Sequence, residues 1–156
     1  MTPLSYKEAG VDIDKEDEAI ESLKNTVLFA REGLGAPLKS EFTGFVDFGE
    51  YALSLCTDGV GTKLLVADKM EKWDTIGIDC IAMNVNDAIC HGAEPIAFVD
   101  YLAMEDPDPE LTEEIGKGLQ KGAEMANMTI IGGETATLGE IIKGFDIAGT
   151  ALGFVK

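Results

Sequence analysis

Apolar residues return at helical intervals in three stretches of the chain and gather into strand-length runs in several others. Ala19, Ile20, Leu23 and Val27 form a one-sided stripe behind the acidic turn "KEDE", with Asp14 placed to cap it. Gly33 or Gly35, followed by Pro37, marks the expected end of that helix. A second helix is expected from an Asp74 cap to about Cys90, with Ile78, Ile81, Ala82, Val85, Ala88 and Ile89 as its core stripe and Gly92 as its stop. Gly77, Cys80, Asn84, Asp87 and His91 are also spaced by three and four, so they line a different stripe of the same helix. Leu111, Ile115, Leu119, Ala123 and Ala126 predict a third helix after the turn "EDPDPELTEE".

Strands are expected at Tyr51 to Thr57, at "EPIAFVDYLAM", at "MTIIGGETAT" and at "FDIAGTALGFV". The second is nearly continuous in apolar residues, as in a strand covered on both faces. The third breaks into a Gly-Gly turn carrying Glu134, and "KLLVADKM" continues from a glycine-rich turn as a further extended segment. "MTPLSYKEAGVD" has no period and reads as an arm, and "SEFTGFVDFGEY" reads as a loop leading into the first strand. Helices alternating with strands predict one α/β or α+β domain, read here as α+β with a mixed sheet of about four strands packed with helices.

At 156 residues the chain is long enough for one substantial core. Composition then narrows the partners. With 29 acidic and 12 basic side chains the net charge is −17, and no basic stripe relieves it, which argues against nucleic acid or an anionic membrane surface. No apolar run reaches the roughly 18 residues of a membrane span, and the acidic start is unlike a signal or transit peptide, so a cytoplasmic location is expected. Cys56, Cys80 and Cys90 lie in apolar segments without Cys-x-x-Cys spacing and read as reduced structural residues.

An anionic ligand would need a local device in so acidic a chain, and "TDGVGTKL" supplies one. It is not a Walker loop, because the order is Gly61-Thr62-Lys63, and Leu64 stands where a dinucleotide fingerprint needs a third glycine. Its chemistry still suits phosphate. Gly59 and Gly61 let backbone N–H groups converge, Thr62 adds a hydroxyl and Lys63 a charge. Asp58 makes sense beside such a nest as a ligand to a magnesium ion shared with the phosphates. The same residues also fit a plain hairpin turn.

Asn84 and Asp87, on the second helix, and Glu134, after its double glycine, are the other candidates. A cation would remove the cost of burying a carboxylate in so apolar a segment, and Asp58, Asp87 and Glu134 could together make a divalent site. Solvated helix-surface and turn carboxylates are the alternatives. His91 reads as a helix C-terminal residue, and Phe42, Phe45 and Phe48 read as core or interface.

"SYKEAGVDID", "TDGVGTKL", "TIGIDCIAMNVNDAICHGAEPIAFVDYLA" and "GGETA" occur here in an order that resembles the phosphoribosylformylglycinamidine cyclo-ligases, also called AIR synthetases. The resemblance implies ATP-dependent closure of formylglycinamidine ribonucleotide to aminoimidazole ribonucleotide in purine biosynthesis. It implies Asp58, Lys63 and Lys24 in catalysis, Gly59, Gly61, Thr62, Lys63, Asn84 and Asp87 at the nucleotide, and Asp58, Asp87 and Glu134 at Mg²⁺. Lys24 is matched only by its spacing from "VDID". The resemblance further implies that residues 1–156 are an amino-terminal ATP-binding and dimerisation domain whose sheet is completed across a homodimer interface. A carboxy-terminal domain of the family would be absent, and the fragment alone inactive. Related ATP enzymes, such as formylglycinamidine synthetase, selenophosphate synthetase and thiamine-phosphate kinase, and a non-catalytic dimerisation module are the competing readings.

Overall fold

The computed structural model describes residues 11–38 and 44–156. The arm before Val11 and the loop positions 39–43, Phe42 among them, lie outside the described residues. The chain divides at residue 31 into two compact units.

In the first unit a helix, α1 (Ile13–Thr26), begins earlier than the sequence suggests, with Asp12 rather than Asp14 at the cap. It ends at Thr26, well before the glycines, where Val27 turns to a ψ of 82°. None of its residues is buried, and the Ile20, Leu23 and Val27 stripe is exposed.

The second unit runs through β1 (Pro37–Leu38), β2 (Gly44–Phe48), β3 (Tyr51–Gly59), α2 (Lys63–Met70), α3 (Ile76–Cys90), β4 (Glu94–Met104), α4 (Pro109–Ala126), β5 (Thr129–Thr137) and β6 (Phe145–Val155). The strands make one mixed sheet of six, in the order β1-β2-β3-β6-β4-β5. The two beyond the expected four are β1 and β2; β2 lies in the stretch read as a loop, where alternation is masked by Gly44 and Asp47. Every pair is antiparallel except β4 with β5, whose parallel pairing requires the crossover that α4 provides.

Three local expectations give way. "KLLVADKM" is the helix α2, because its leucines, alanine and lysines favour a helix and it holds no strand partner. β5 runs unbroken through Gly132, Gly133 and Glu134, held in register by β4 with one irregularity at Phe98/Val99. Glu134 therefore stands in a strand and not in a turn. The third concerns α3, whose buried residues include Gly77, Cys80 and Asn84 as well as Ile81 and Ala88, while Ile89 is exposed. This helix packs on both the sheet and α4, so the stripe read as the non-core side is buried too.

The core is built on one face of the sheet. Phe98, Leu102, Met104, Ile147 and Ala151 meet Ile76, Ile81, Ile115 and Ala123 from the helices. Asp108 caps α4 by accepting from the Glu110 and Leu111 amides at 3.0 and 3.1 Å. The backbones of α3 and α4 approach so closely that a Cβ on Gly77 would fall inside Gly118 and Leu119. Among the described residues of this unit the opposite face of the sheet carries no helix, and Phe48, Tyr51, Leu55, Val99 and Tyr101 are exposed there, so within the unit β4 is covered on one side and not on both as expected. Cys56 and Cys80 are buried, whereas Cys90 at the end of α3 is exposed.

Carboxylates also stand on the covered face. Asp58 and Asp100 both register with Gly149, and Asp100 also with Gly133, so all four share one row. A Cβ on Gly133 would collide with the Asp100 carboxyl, and a Cβ on Gly149 with the Phe98 ring. Partial burial raises the Asp100 carboxyl above its ordinary value, against a smaller opposing effect of its own backbone hydrogen bond. A carboxyl raised in the folded state costs stability once it ionises, so stability falls as pH climbs from the unfolded value through the folded one. Asp100→Asn is therefore expected to raise the melting temperature at pH 7, with the gain vanishing below pH 3.8, the ordinary aspartate value. Thermal melts across that range check it, and an equal effect at every pH would show that the ionised carboxyl is not the cause.

Candidate functional site

β3 delivers the phosphate-loop candidates to one end of the sheet. The Val60 amide donates to the Ile147 carbonyl at 3.1 Å, and Val60 is buried, so the chain is anchored in the middle of the motif. Gly61 then turns with φ of 68°, a left-handed conformation that favours glycine. Thr62 and Lys63 open α2, whose first bonds run from Leu64 to the Gly61 carbonyl and from Leu65 to the Thr62 carbonyl, both at 3.1 Å. The stretch is thus a strand, a glycine turn and a helix start, not a hairpin. A helix start presents N–H groups ahead of its first intrahelical bond, which is the arrangement an anion uses.

Asp58 Oδ1 accepts from the Gly59 amide at 2.7 Å, leaving its second carboxylate oxygen with no partner among the described residues. The Lys63 ammonium reaches α3, donating to Asp79 Oδ1 at 2.9 Å and lying 3.7 Å from Met83 Sδ. Sequence reasoning missed Asp79, though a carboxylate in the first turn of a helix was a signal for it. It missed Asp100 too, the single charge inside an otherwise apolar strand run.

Asn84 is wholly buried, and its Nδ2 donates to the Cys80 carbonyl at 2.8 Å and the Asp58 carbonyl at 3.2 Å. Asp87 follows one turn later on α3 and is partly covered; its carbonyl lies 3.3 Å from His91 Nδ1. His91 ends the helix and sets its ring edge-on to Phe45 at 6.0 Å, in keeping with a C-terminal role. Burial above all, then Asp100, Asp58 and other nearby carboxylates, pushes the Cys80 thiol up to about 12, so it stays a neutral filler.

Glu134 is set apart. It registers with Tyr101 on the outer face, whereas Asp58 shares the covered face with the buried Ser54 and Cys56. Among the described residues no three His, Cys, Asp or Glu side chains come together as a metal-holding group. Lys24 is on α1, exposed and 3.9 Å from Glu21. The structure thus gathers Asp58, Gly59, Gly61, Thr62, Lys63 and Asn84 at one place and puts Glu134 on the other side of the sheet.

The fold is shared with solved structures described as AaThiL complexed with AMPPCP and TMP (TM-score 0.69, 18% identity, 93% of this chain and 44% of that one) and as tt0281 from Thermus thermophilus (TM-score 0.71, 18% identity, 92% and 46%). In sequence, the chain is 58% identical over 155 residues to a phosphoribosylformylglycinamidine cyclo-ligase of Methanococcoides burtonii, covering 98% of this chain and 46% of that protein. It is 56% identical over 154 residues to the cyclo-ligase of Methanocaldococcus jannaschii, covering 98% and 44%. The chain therefore spans about half the length of these relatives. Residues 41–155 match the family described as AIR synthase related protein, N-terminal domain, and they include Asp58, the glycine turn, all of α3 and Glu134: the chain belongs to that family.

Proposed function

We propose that residues 1–156 are the amino-terminal, ATP-binding and dimerisation domain of a phosphoribosylformylglycinamidine cyclo-ligase acting in purine biosynthesis. The observation that carries this reading is the anchored turn from Asp58 to Lys63, in a chain more than half identical to two cyclo-ligases. The chemistry proposed is transfer of the ATP γ-phosphoryl group to the amide oxygen of formylglycinamidine ribonucleotide. Attack by the amidine nitrogen then closes the imidazole ring and expels phosphate, giving aminoimidazole ribonucleotide and ADP. A protein's share in such a transfer is positioning and charge neutralisation.

Gly61 and Thr62 would present donors to the phosphates, Gly59 would let the backbone approach them while its own amide stays with Asp58, and Lys63 would add its charge. Its pairing with Asp79 does not bar this. Both side chains are substantially exposed, and such pairs contribute only about 0–1 kcal/mol, so the ammonium can exchange one anion for another. The second oxygen of Asp58 fits Mg²⁺, which needs only one or two carboxylates beside phosphate oxygens. When bound, that ion would neutralise phosphate charge, with Asp87 as a further ligand.

Glu134 cannot join Asp58 on the same face of one chain, and the uncovered face it occupies is apolar. Both points favour a homodimer in which two such faces meet and Glu134 serves a site shared with the partner. Lys24 and the substrate's own binding groups belong to the same proposal, with a carboxy-terminal domain supplying what residues 1–156 do not.

Two measurements test the reading. Calorimetry should show magnesium-dependent ATP binding by the 156-residue chain, with Asp58→Asn weakening it at least about tenfold, as expected for losing a charged ligand. Unchanged affinity in a folded Asp58→Asn chain would remove the metal role. Sedimentation equilibrium should give twice the 16.6 kDa chain mass at micromolar concentration, and a monomer there would rule out the shared site.

A further inference from the structure

Asn84 is the one amide side chain wholly buried among the described residues, and it sits on α3 between the buried Cys80 and Ala88, where an apolar side chain would pack at no polar cost. Its Oδ1 is buried with no hydrogen-bond partner among the described residues. A lone buried acceptor is unfavourable, so the amide carries a local cost at this position. Its two donor bonds show what it does. One, to the Cys80 carbonyl at 2.8 Å, lies within α3. The other leaves the helix and reaches the Asp58 carbonyl at 3.2 Å, across 26 positions of chain.

Asp58 is also the residue whose carboxylate receives the Gly59 amide, and the next fixed point, Val60, is held by the Ile147 carbonyl. The start of the glycine turn is therefore held by β6, which pairs with Asp58 and Gly59 through Gly149 and Ala148 and with Val60 through Ile147, and α3 adds a further bond at Asp58. Asn84 is wholly buried, so its effect on the turn runs through the groups it bonds, of which Asp58 is the one in the turn.

The geometry points to Asn84 as a positioning residue that fastens the Asp58–Lys63 turn to α3 through the Asp58 carbonyl and so sets the direction of the Asp58 carboxylate. Its consequence for ATP rests on the function proposed above; the tether itself does not. Without a ligand, the exposed pair of Asp79 with Lys63 adds a weak second link from the same helix to the start of α2.

Two variants separate the two donor bonds. In Asn84→Ser the hydroxyl can still return to the Cys80 carbonyl four residues earlier, as helical serines do, but is too short to reach Asp58. Asn84→Ala loses both. Amide exchange and chemical shifts of Gly59 and Gly61, read by NMR on the 156-residue chain, report the turn directly. Both variants are expected to lower Gly59 protection by about tenfold, the size of one hydrogen bond. Amides of β4 and β6 should keep theirs, and the Kd for magnesium ATP should rise by a similar factor. A folded Asn84→Ser chain with unchanged Gly59 shift and exchange would overturn the tether and leave Asn84 as a core residue alone. Loss of Gly59 protection in a chain whose parent binds no ATP would uphold the tether and overturn the nucleotide reading instead.

Discussion

Within the second unit α3 and α4 cover one face of the sheet, and the position of each candidate on a strand follows from which face its place in the strand selects. Side chains alternate along a strand, so a residue's parity decides whether it meets α3 and α4 or the open side. Asp58 shares its parity with Ser54 and Cys56 and is drawn toward α3. Glu134 shares a register position with Tyr101 and is exposed. A one-residue shift in either strand would exchange these faces, and the β4 and β5 register, with its irregularity at Phe98/Val99, holds Glu134 outward.

The covered face explains why α3 carries so many small and polar residues. Gly77 is required where α4 crosses, Cys80 and Ala88 fill shallow space over the sheet, and Asn84 reaches across to Asp58. The same helix supplies Asp79 to Lys63 and Asp87 beyond Asn84, so the loop after β3 is organised largely by one element. The uncovered face has the opposite character, with large apolar side chains such as Leu55 and Val99 in ranks along the strands. An apolar sheet face of that extent suits a protein partner.

Much of this was legible in the sequence. The three amphipathic helices and the runs that became β3, β4 and β6 were readable because their periods are long and uninterrupted. The glycine turn was recognisable from residue types alone. What failed had physical reasons. α2 is only two turns long and nearly even in hydropathy around its axis, so no period announced it. β5 looked like a turn because Gly132 and Gly133 are poor strand formers, yet Gly133 leaves space for the Asp100 carboxyl and β4 supplies the pairing. The stripe on α3 was misassigned because a helix packed on two sides has no single polar face. Which face each carboxylate occupies depends on strand register, and no local pattern reveals that.

The most direct test is formation of aminoimidazole ribonucleotide from formylglycinamidine ribonucleotide, ATP and magnesium. The 156-residue chain would be assayed alone and then mixed with the separately produced carboxy-terminal half of the Methanococcoides burtonii cyclo-ligase. Product and ADP in equal amounts from the mixture, and neither from either half alone, is the predicted result. Two folded halves that associate and bind ATP yet form no aminoimidazole ribonucleotide would contradict the assignment of this chain to that reaction.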